Sequence, residues 1–243
     1  MRIPRIFVDN VLEENTEVSL DITQTHYLRN VLKLNCSDSV VLFNGKGGEY
    51  SGILVASKKS SLIVRLGKLD PKDRESPLRT HLGIGVSRGE RMNYAIQKAT
   101  ELGVSRITPL MTARCEVKLS QTRRIAKVDQ WQRVVVNACQ QSRRTRVPVV
   151  GSIIDLDKWC KETCSPAKFI LDMEENELAD SIPAKLEDVA ILAGPEGGFE
   201  QREISTAVHS GFQRWRLGPR VLRAETAPLV ALSILQSAHG DIP

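Results

Sequence analysis

Val189-Ala190-Ile191-Leu192-Ala193-Gly194-Pro195-Glu196-Gly197-Gly198-Phe199 reads as a buried strand running into a glycine-rich loop, with a helix predicted behind it over residues 201–209. Glycines at such a junction can supply positive φ and let backbone amides approach a ligand. A structural turn would use the same residues, and both readings stand open on this stretch alone. No Gly-Lys-Ser/Thr ends the loop, so it is not a Walker loop, and it lacks the G-x-G-x-x-G spacing of a dinucleotide fold. Gly83 and Gly85 follow a strand start, but Arg88 stands where the third glycine of that fingerprint belongs.

Outward from the loop, strands and helices alternate. Strands are predicted at 81–86, 106–110, 147–150, 169–171 and 189–192, and Met92, Ile96, Ala99 and Leu102 fall at helical spacing with Gly103 as a stop. Longer helices follow at 124–140 and 226–238, the last tolerating Pro228 in its first turn. This rhythm predicts an α/β domain with a mainly parallel sheet. The N-terminal part differs: β-branched runs at 40–43, 49–55 and 62–66, broken by Asn, Gly and Ser, predict hairpins in a small barrel, with one helix at 25–34. The polar, proline-containing stretch 70–77 reads as a linker, which sets the expected domains at 1–72 and 73–243.

The 243 residues are 41% hydrophobic and 26% charged, which argues against disorder. No apolar run approaches the ~20 residues of a spanning helix, and no signal segment is visible near Met1. Five scattered cysteines without a C-x-x-C pair, and four histidines without H-x-x-x-H spacing, fit reduced thiols in a cytoplasm rather than disulfides, and predict no metal. His26 reads as a packed or capping residue. Cys160 and Cys164 are spaced to meet on a helix face. Net charge is +5, but residues 76–150 hold 14 basic and 4 acidic side chains, the footprint of a polyanion binder.

Two further clusters carry chemistry. Leu217-Gly218-Pro219-Arg220-Val221-Leu222-Arg223-Ala224-Glu225-Thr226-Ala227 is a charged loop opening onto an apolar helix, for which Thr226 or Glu225 could serve as a cap. A capped helix start leaves Arg220, Arg223 and Glu225 unaccounted for. Gln140-Gln141-Ser142-Arg143-Arg144-Thr145-Arg146 reads either as a solvated loop or as a phosphate contact, joined by Arg123, Arg124 and Lys127, while Arg2, Arg5, Arg29 and Lys33 could extend the basic set into the first domain.

These motifs, with Gln97-Lys98-Ala99-Thr100-Glu101-Leu102-Gly103-Val104 and Arg114-Cys115, closely resemble the ribosomal RNA small subunit methyltransferase E family, SPOUT-class enzymes that methylate N3 of a uridine in 16S rRNA. Lys33, Gln140, Arg143 and Pro228 depart from the family pattern. The resemblance implies a PUA-like barrel followed by an α/β domain with a deep trefoil knot, packed as a homodimer through the knot. It implies S-adenosylmethionine held by Leu171, Gly194, Pro195, Glu196, Gly197, Gly198, Leu217, Gly218, Leu222 and Arg223, leaving as S-adenosylhomocysteine. It also places 16S rRNA, in the small ribosomal subunit, against basic residues that include Arg114.

Methylation at N3 requires the uridine anion, and a guanidinium suits its delocalised charge, which nominates Arg223. Glu225 could orient that arginine or accept the proton, with Glu196 as a second base. An RNA-binding assembly factor with structural glycine loops is the alternative, and a SPOUT enzyme acting on tRNA is a third reading.

Overall fold

The computed structural model describes residues 3–57, 61–117, 119–173 and 185–243; Arg2, one of the expected RNA contacts, lies outside them. The chain divides into two compact units, Met1–Glu75 with Cys139–Val147, and Ser76–Ala138 with Pro148–Pro243.

The first unit is a half-barrel of five strands, β1 (Arg5–Phe7), β2 (Glu17–Ser19), β3 (Ser39–Phe43), β4 (Glu49–Ser57) and β5 (Leu62–Asp70), in the order β1-β3-β4-β5-β2. β1 and β3 run parallel and the other pairs antiparallel. Period-two alternation turns Val40 and Leu42 of β3 and Leu62, Val64 and Leu66 of β5 onto one core with Ile6, Val8 and Leu28. Burying each such side chain contributes roughly 1.5–3 kcal/mol. The helix expected at 25–34 is a short α1 (Ile22–His26), started by an Asp21–Gln24 capping box, that continues as a π-helical turn over Tyr27–Val31. His26 is exposed on that last turn and neither packs nor caps.

Residues 139–147 complete this unit. Arg5 donates to the Cys139 carbonyl at 2.7 Å and to the Arg144 carbonyl at 2.6 Å, while its Nε pairs with Glu49 at 2.6 Å. The Phe7 amide donates to Gln140 Oε1 at 2.9 Å. Arg144 ion-pairs with Glu75, with side-chain exposures of 7% and 14%. Gly47 N–H donates to the Thr145 carbonyl at 3.1 Å, beside an antiparallel bridge between Lys46 and Arg146. Arg5 and Arg144 are therefore interior ties rather than surface cations, because a buried guanidinium must be paired.

The second unit is a seven-stranded parallel sheet: β6 (Arg79–Gly85), β7 (Arg106–Met111), β8 (Val149–Val150), β9 (Ile154–Asp155), β10 (Ala167–Leu171), β11 (Asp188–Ala193) and β12 (Gln213–Trp215). Its order is β12-β10-β11-β6-β7-β8, with β9 also on β7. Val189 through Ala193 are all buried, the continuous apolar pattern of a sheet covered on both faces. The helices are α2 (Glu90–Glu101), α3 (Gln121–Ser142), α4 (Leu156–Glu162), α5 (Gln201–His209) and α6 (Ala227–His239); the last turn of α3 belongs to the first unit.

Gly83 and Gly85, which looked like half a fingerprint, are packing glycines. A Cβ on Gly83 would lie 2.6 Å from the Trp159 ring, and one on Gly85 2.6 Å from Pro195 N and Cδ. The helix pairing of Cys160 with Cys164 does not form, because α4 ends at Glu162; Cys160 is buried and Cys164 exposed. Burial pushes the Cys160 thiol up to about 12 and Cys139 to about 11, so both are inert. Nor does Thr226 cap α6 with its side chain. The Arg223 carbonyl accepts the Thr226 and Ala227 amides instead, at 2.9 and 3.0 Å.

Candidate active site

β10, β11 and β12 are joined through parallel ladders, so their C-terminal ends, Leu171, Ala193 and Trp215, come out on one edge. Open α/β sheets bind ligands beyond these carboxyl ends, where the following loops diverge. A cavity of about 390 Å³ opens there, roofed by residues 194–199 on one side and 217–227 on the other. Its volume is that of a small-molecule site. The walls are polar and apolar in about equal parts, the apolar part coming from residues such as Leu171, Phe199, Ile204, Trp215, Leu217 and Leu222. Asp172 brings a carboxylate to the wall, 8% exposed and paired with Arg214 at 2.6 Å.

The glycine loop is held from several directions. Pro195 passes over Gly85, where only a hydrogen leaves room for it. Gly198 adopts φ +68 and its amide donates to the Pro195 carbonyl at 2.9 Å, closing the turn. Arg114 Nη1 donates to the Gly197 carbonyl at 3.0 Å. Glu196 accepts from Arg91 Nη1 at 3.1 Å and from the Arg88 amide at 3.3 Å. Its partial burial would raise the carboxyl pKa, but hydrogen bonds from its own backbone, Arg91, Arg88 and Ser87 outweigh that and hold it below the usual carboxylate range. Glu196 is thus an ionised anchor, poorly suited to accept a proton. On α5, Glu203 is 3% exposed, caps Glu200 N at 2.8 Å and accepts the Ala113 amide at 2.8 Å, tying the helix after the glycine loop to the turn after β7.

Of the residues expected around a cofactor, Leu171, Gly194, Pro195, Glu196, Gly198, Leu217 and Leu222 line the cavity. Gly197, Gly218 and Arg223 do not line it. The Arg223 guanidinium, 77% exposed, stands 4.0 Å from Glu225 Oε1, and Glu225 is 15% exposed. These two alternate with Leu222 and Ala224, which face the cavity. Arg114, read from sequence as an RNA contact, lines the cavity and holds the loop. Asp172 and Trp215 were missed, although both follow from the strand-end rule once β10 and β12 are placed.

Among the basic candidates outside the cavity, Lys33, Arg123, Arg143 and Arg146 are exposed, and Arg29 and Arg124 half-buried. Among the described residues, no group of three His, Cys, Asp or Glu side chains is placed to hold a metal ion, and no helix is long and apolar enough to cross a membrane.

The second unit, preceded in sequence by a small β unit, is a parallel α/β domain with a small-molecule site under glycine-rich strand-end loops. Residues 74–236 match the RNA methyltransferase domain, and residues 20–67 match the RNA methyltransferase PUA domain. The chain is 34% identical over 242 residues to ribosomal RNA small subunit methyltransferase E of Buchnera aphidicola subsp. Schizaphis graminum, covering 99% of this chain and 98% of that protein. It matches the Neisseria gonorrhoeae ribosomal RNA small subunit methyltransferase E bound to S-adenosyl methionine with a TM-score of 0.92 and 33% identity over 100% of both chains. A Legionella pneumophila protein in complex with the bound cofactor SAM gives a TM-score of 0.96 and 36% identity, again over 100% of both. The chain belongs to the ribosomal RNA small subunit methyltransferase E family.

Proposed function

We propose that this chain transfers the methyl group of S-adenosylmethionine to N3 of a uridine in 16S rRNA of the small ribosomal subunit. The observation that carries the reading is the cavity at the ends of β10, β11 and β12, built from the same two glycine loops that mark the family. Its residues suit the cofactor: apolar side chains for an adenine, backbone amides at the glycine turns and the Asp172 carboxylate as an acceptor for hydroxyl groups. When bound, S-adenosylmethionine supplies an electrophilic methyl group on a sulfonium, and S-adenosylhomocysteine is the product.

The chain's own task is to hold the uridine in line with that methyl and to stabilise the N3 anion. Arg223 does the second from the rim, its guanidinium spreading over the negative charge at O2 and O4. Glu225, less exposed and 4.0 Å away, orients it or takes up the N3 proton. A donor that lowers the N3 pKa by one unit contributes about 1.4 kcal/mol. Replacing Arg223 by Ala is expected to reduce kcat at least ~10-fold while cofactor Kd, read by calorimetry, stays within about twofold. Unchanged kcat would remove Arg223 from the mechanism.

Arg29, Lys33, Arg143 and Arg146 in the first unit, and Arg114, Arg123 and Arg124 in the second, are the proposed cations facing RNA phosphates. The C-terminal part of the α/β domain forms the trefoil knot of this reading, and the protein is a homodimer packed through it. Val221 at 83% exposure and Ile234 at 40% support an apolar contact there. Assembly of ribosomal subunits places the protein in the cytoplasm, and its five free cysteines suit that compartment.

The test is incubation with labelled S-adenosylmethionine and small subunits from a strain lacking the endogenous activity, followed by nucleoside chromatography. Label in 3-methyluridine of 16S rRNA is expected. Cofactor binding without label in 16S rRNA would redirect the search to another RNA such as tRNA, and loss of both would leave an assembly factor.

A further inference from the structure

A second cavity of about 460 Å³ lies in the second unit and shares no lining residue with the first. Its apolar lining is Val86, Met92 and Trp131, each 2% exposed or less, with the half-buried Val117 and Leu119 of the loop before α3. Arg88, Lys127 and Glu116 bring charge to it. All its lining residues fall within 76–150, the segment with 14 basic and 4 acidic side chains. The cavity also adjoins the reaction site directly: the Arg88 amide donates to Glu196 Oε1 of the glycine loop at 3.3 Å.

The two cations differ in how they are held: Arg88 is exposed and also donates from Nη2 to the Glu116 carbonyl at 3.4 Å, while Lys127 and its partner Gln130 are half-buried. Arg88 Nε pairs with Glu116 at 3.1 Å, with side-chain exposures of 66% and 57%. Lys127 Nζ donates to Gln130 Oε1 at 3.0 Å. The exposed ion pair is worth little and Lys127 has a neutral partner, so an incoming phosphate can replace both. An apolar wall, two exchangeable cations and one carboxylate acceptor match the three parts of a nucleotide: a base face, a phosphate and a base-edge amino group.

Resting on the methyltransferase reading, we propose that this cavity is a subsite for a nucleotide flanking the target uridine in the substrate RNA, one whose base carries an exocyclic amino group. Arg88 and Lys127 take its phosphate, the half-buried Val117 and Leu119 pack on the base, and Glu116 accepts from the amino group. The site selects which uridine is presented and takes no part in methyl transfer.

Three variants of the full-length protein test this: Arg88→Ala, Lys127→Ala and Val117→Trp, the last filling the cavity from a lining position. Each is assayed for cofactor Kd by calorimetry, for KM on unmethylated small subunits, and for the salt dependence of RNA binding. Expected are an unchanged cofactor Kd, a KM raised about 5–20-fold, and, for the two charge variants, a salt slope smaller by about one. Wild-type KM and slope in all three, with cofactor binding intact, would overturn the subsite. A variant that loses cofactor binding as well counts against it, because the cavity would then be structural support for the glycine loop. If the wild-type protein itself makes no 3-methyluridine in 16S rRNA, the function reading fails first and the subsite falls with it, a result separable from the others by the wild-type control.

Discussion

Glu196 shows how a single side chain can be read two ways until its partners are known. From sequence it is an acid beside glycines, available as a base. In the structure Arg91, the Arg88 amide and Ser87 keep it ionised, and it serves to fix the loop that walls the cavity. A carboxyl with a depressed folded pKa contributes fully above its unfolded value, near 4.5, and that contribution is lost as pH falls through the folded value. Glu196→Gln should therefore weaken cofactor binding about 5–10-fold at neutral pH, since a charge-assisted bond is lost. From pH 7 down to about 4.5 the wild-type affinity should hold, and below that it should decline toward that of the variant, whose Glu196-dependent part is flat, as followed by calorimetry across pH. Equal affinities at pH 7 would show that the loop holds without this anchor. Arg223 and Glu225 were nominated by family pattern, and their positions beside rather than in the cavity wall suit contact with the second substrate.

At the scale of elements, the glycine loop depends on its neighbours' shapes as much as on its own glycines. Gly85→Ala would place a methyl carbon 2.6 Å from Pro195 and force the loop outward. Overpacking of this kind costs typically 1–3 kcal/mol, so thermal unfolding should come several degrees lower and cofactor Kd should rise. A variant with unchanged melting and affinity would show that the loop yields freely. Regular elements were largely legible: α5 matches the expected helix at 201–209, and β6, β7, β10 and β11 fall where apolar runs stand. What escaped was short or irregular. β12 is Gln213-Arg214-Trp215, too brief and polar to announce itself, and it is fixed by pairing to β10. The π-turn after α1 breaks the 3.6-residue period, and α4 is seven residues long. The strand and loop ends that make the site were readable only because the glycine motifs were, while Asp172 needed the sheet order.

On the scale of the whole molecule, charge and connectivity matter more than any one contact. The arginine cluster at 143–146, a solvated loop or a phosphate contact by sequence, is divided: Arg143 and Arg146 are exposed while Arg144 is buried against Glu75. A sequence pattern cannot separate these, because the partner of Arg144 lies 69 residues away. Glu75→Gln would leave a buried guanidinium without its counter-ion. A destabilisation of about 3–5 kcal/mol is expected, measured by urea unfolding followed through Arg5-unit reporters such as Tyr50 fluorescence. A loss below ~1 kcal/mol would mean that the surrounding carbonyls suffice. Assembly is tested separately: sedimentation should give twice the 27.0 kDa chain mass, and Val221→Glu with Ile234→Glu should shift it to one chain. A wild-type monomer would refute the dimer.

The tie between Arg5 and residues 139–147 also bears on how the protein is made. The ribosome releases the chain from its N-terminus, and strands β1–β5 emerge long before Cys139–Val147 do. Until that later piece arrives, Arg5 has Glu49 but not the Cys139 and Arg144 carbonyls, and Glu75 and the Phe7 amide wait for Arg144 and Gln140, so the first unit is born incomplete. It closes only after about two fifths of the second unit's sequence has been synthesised. A gene truncated after the apparent linker would yield a half-barrel missing a wall, and a stable version of it needs residues 139–147 grafted on.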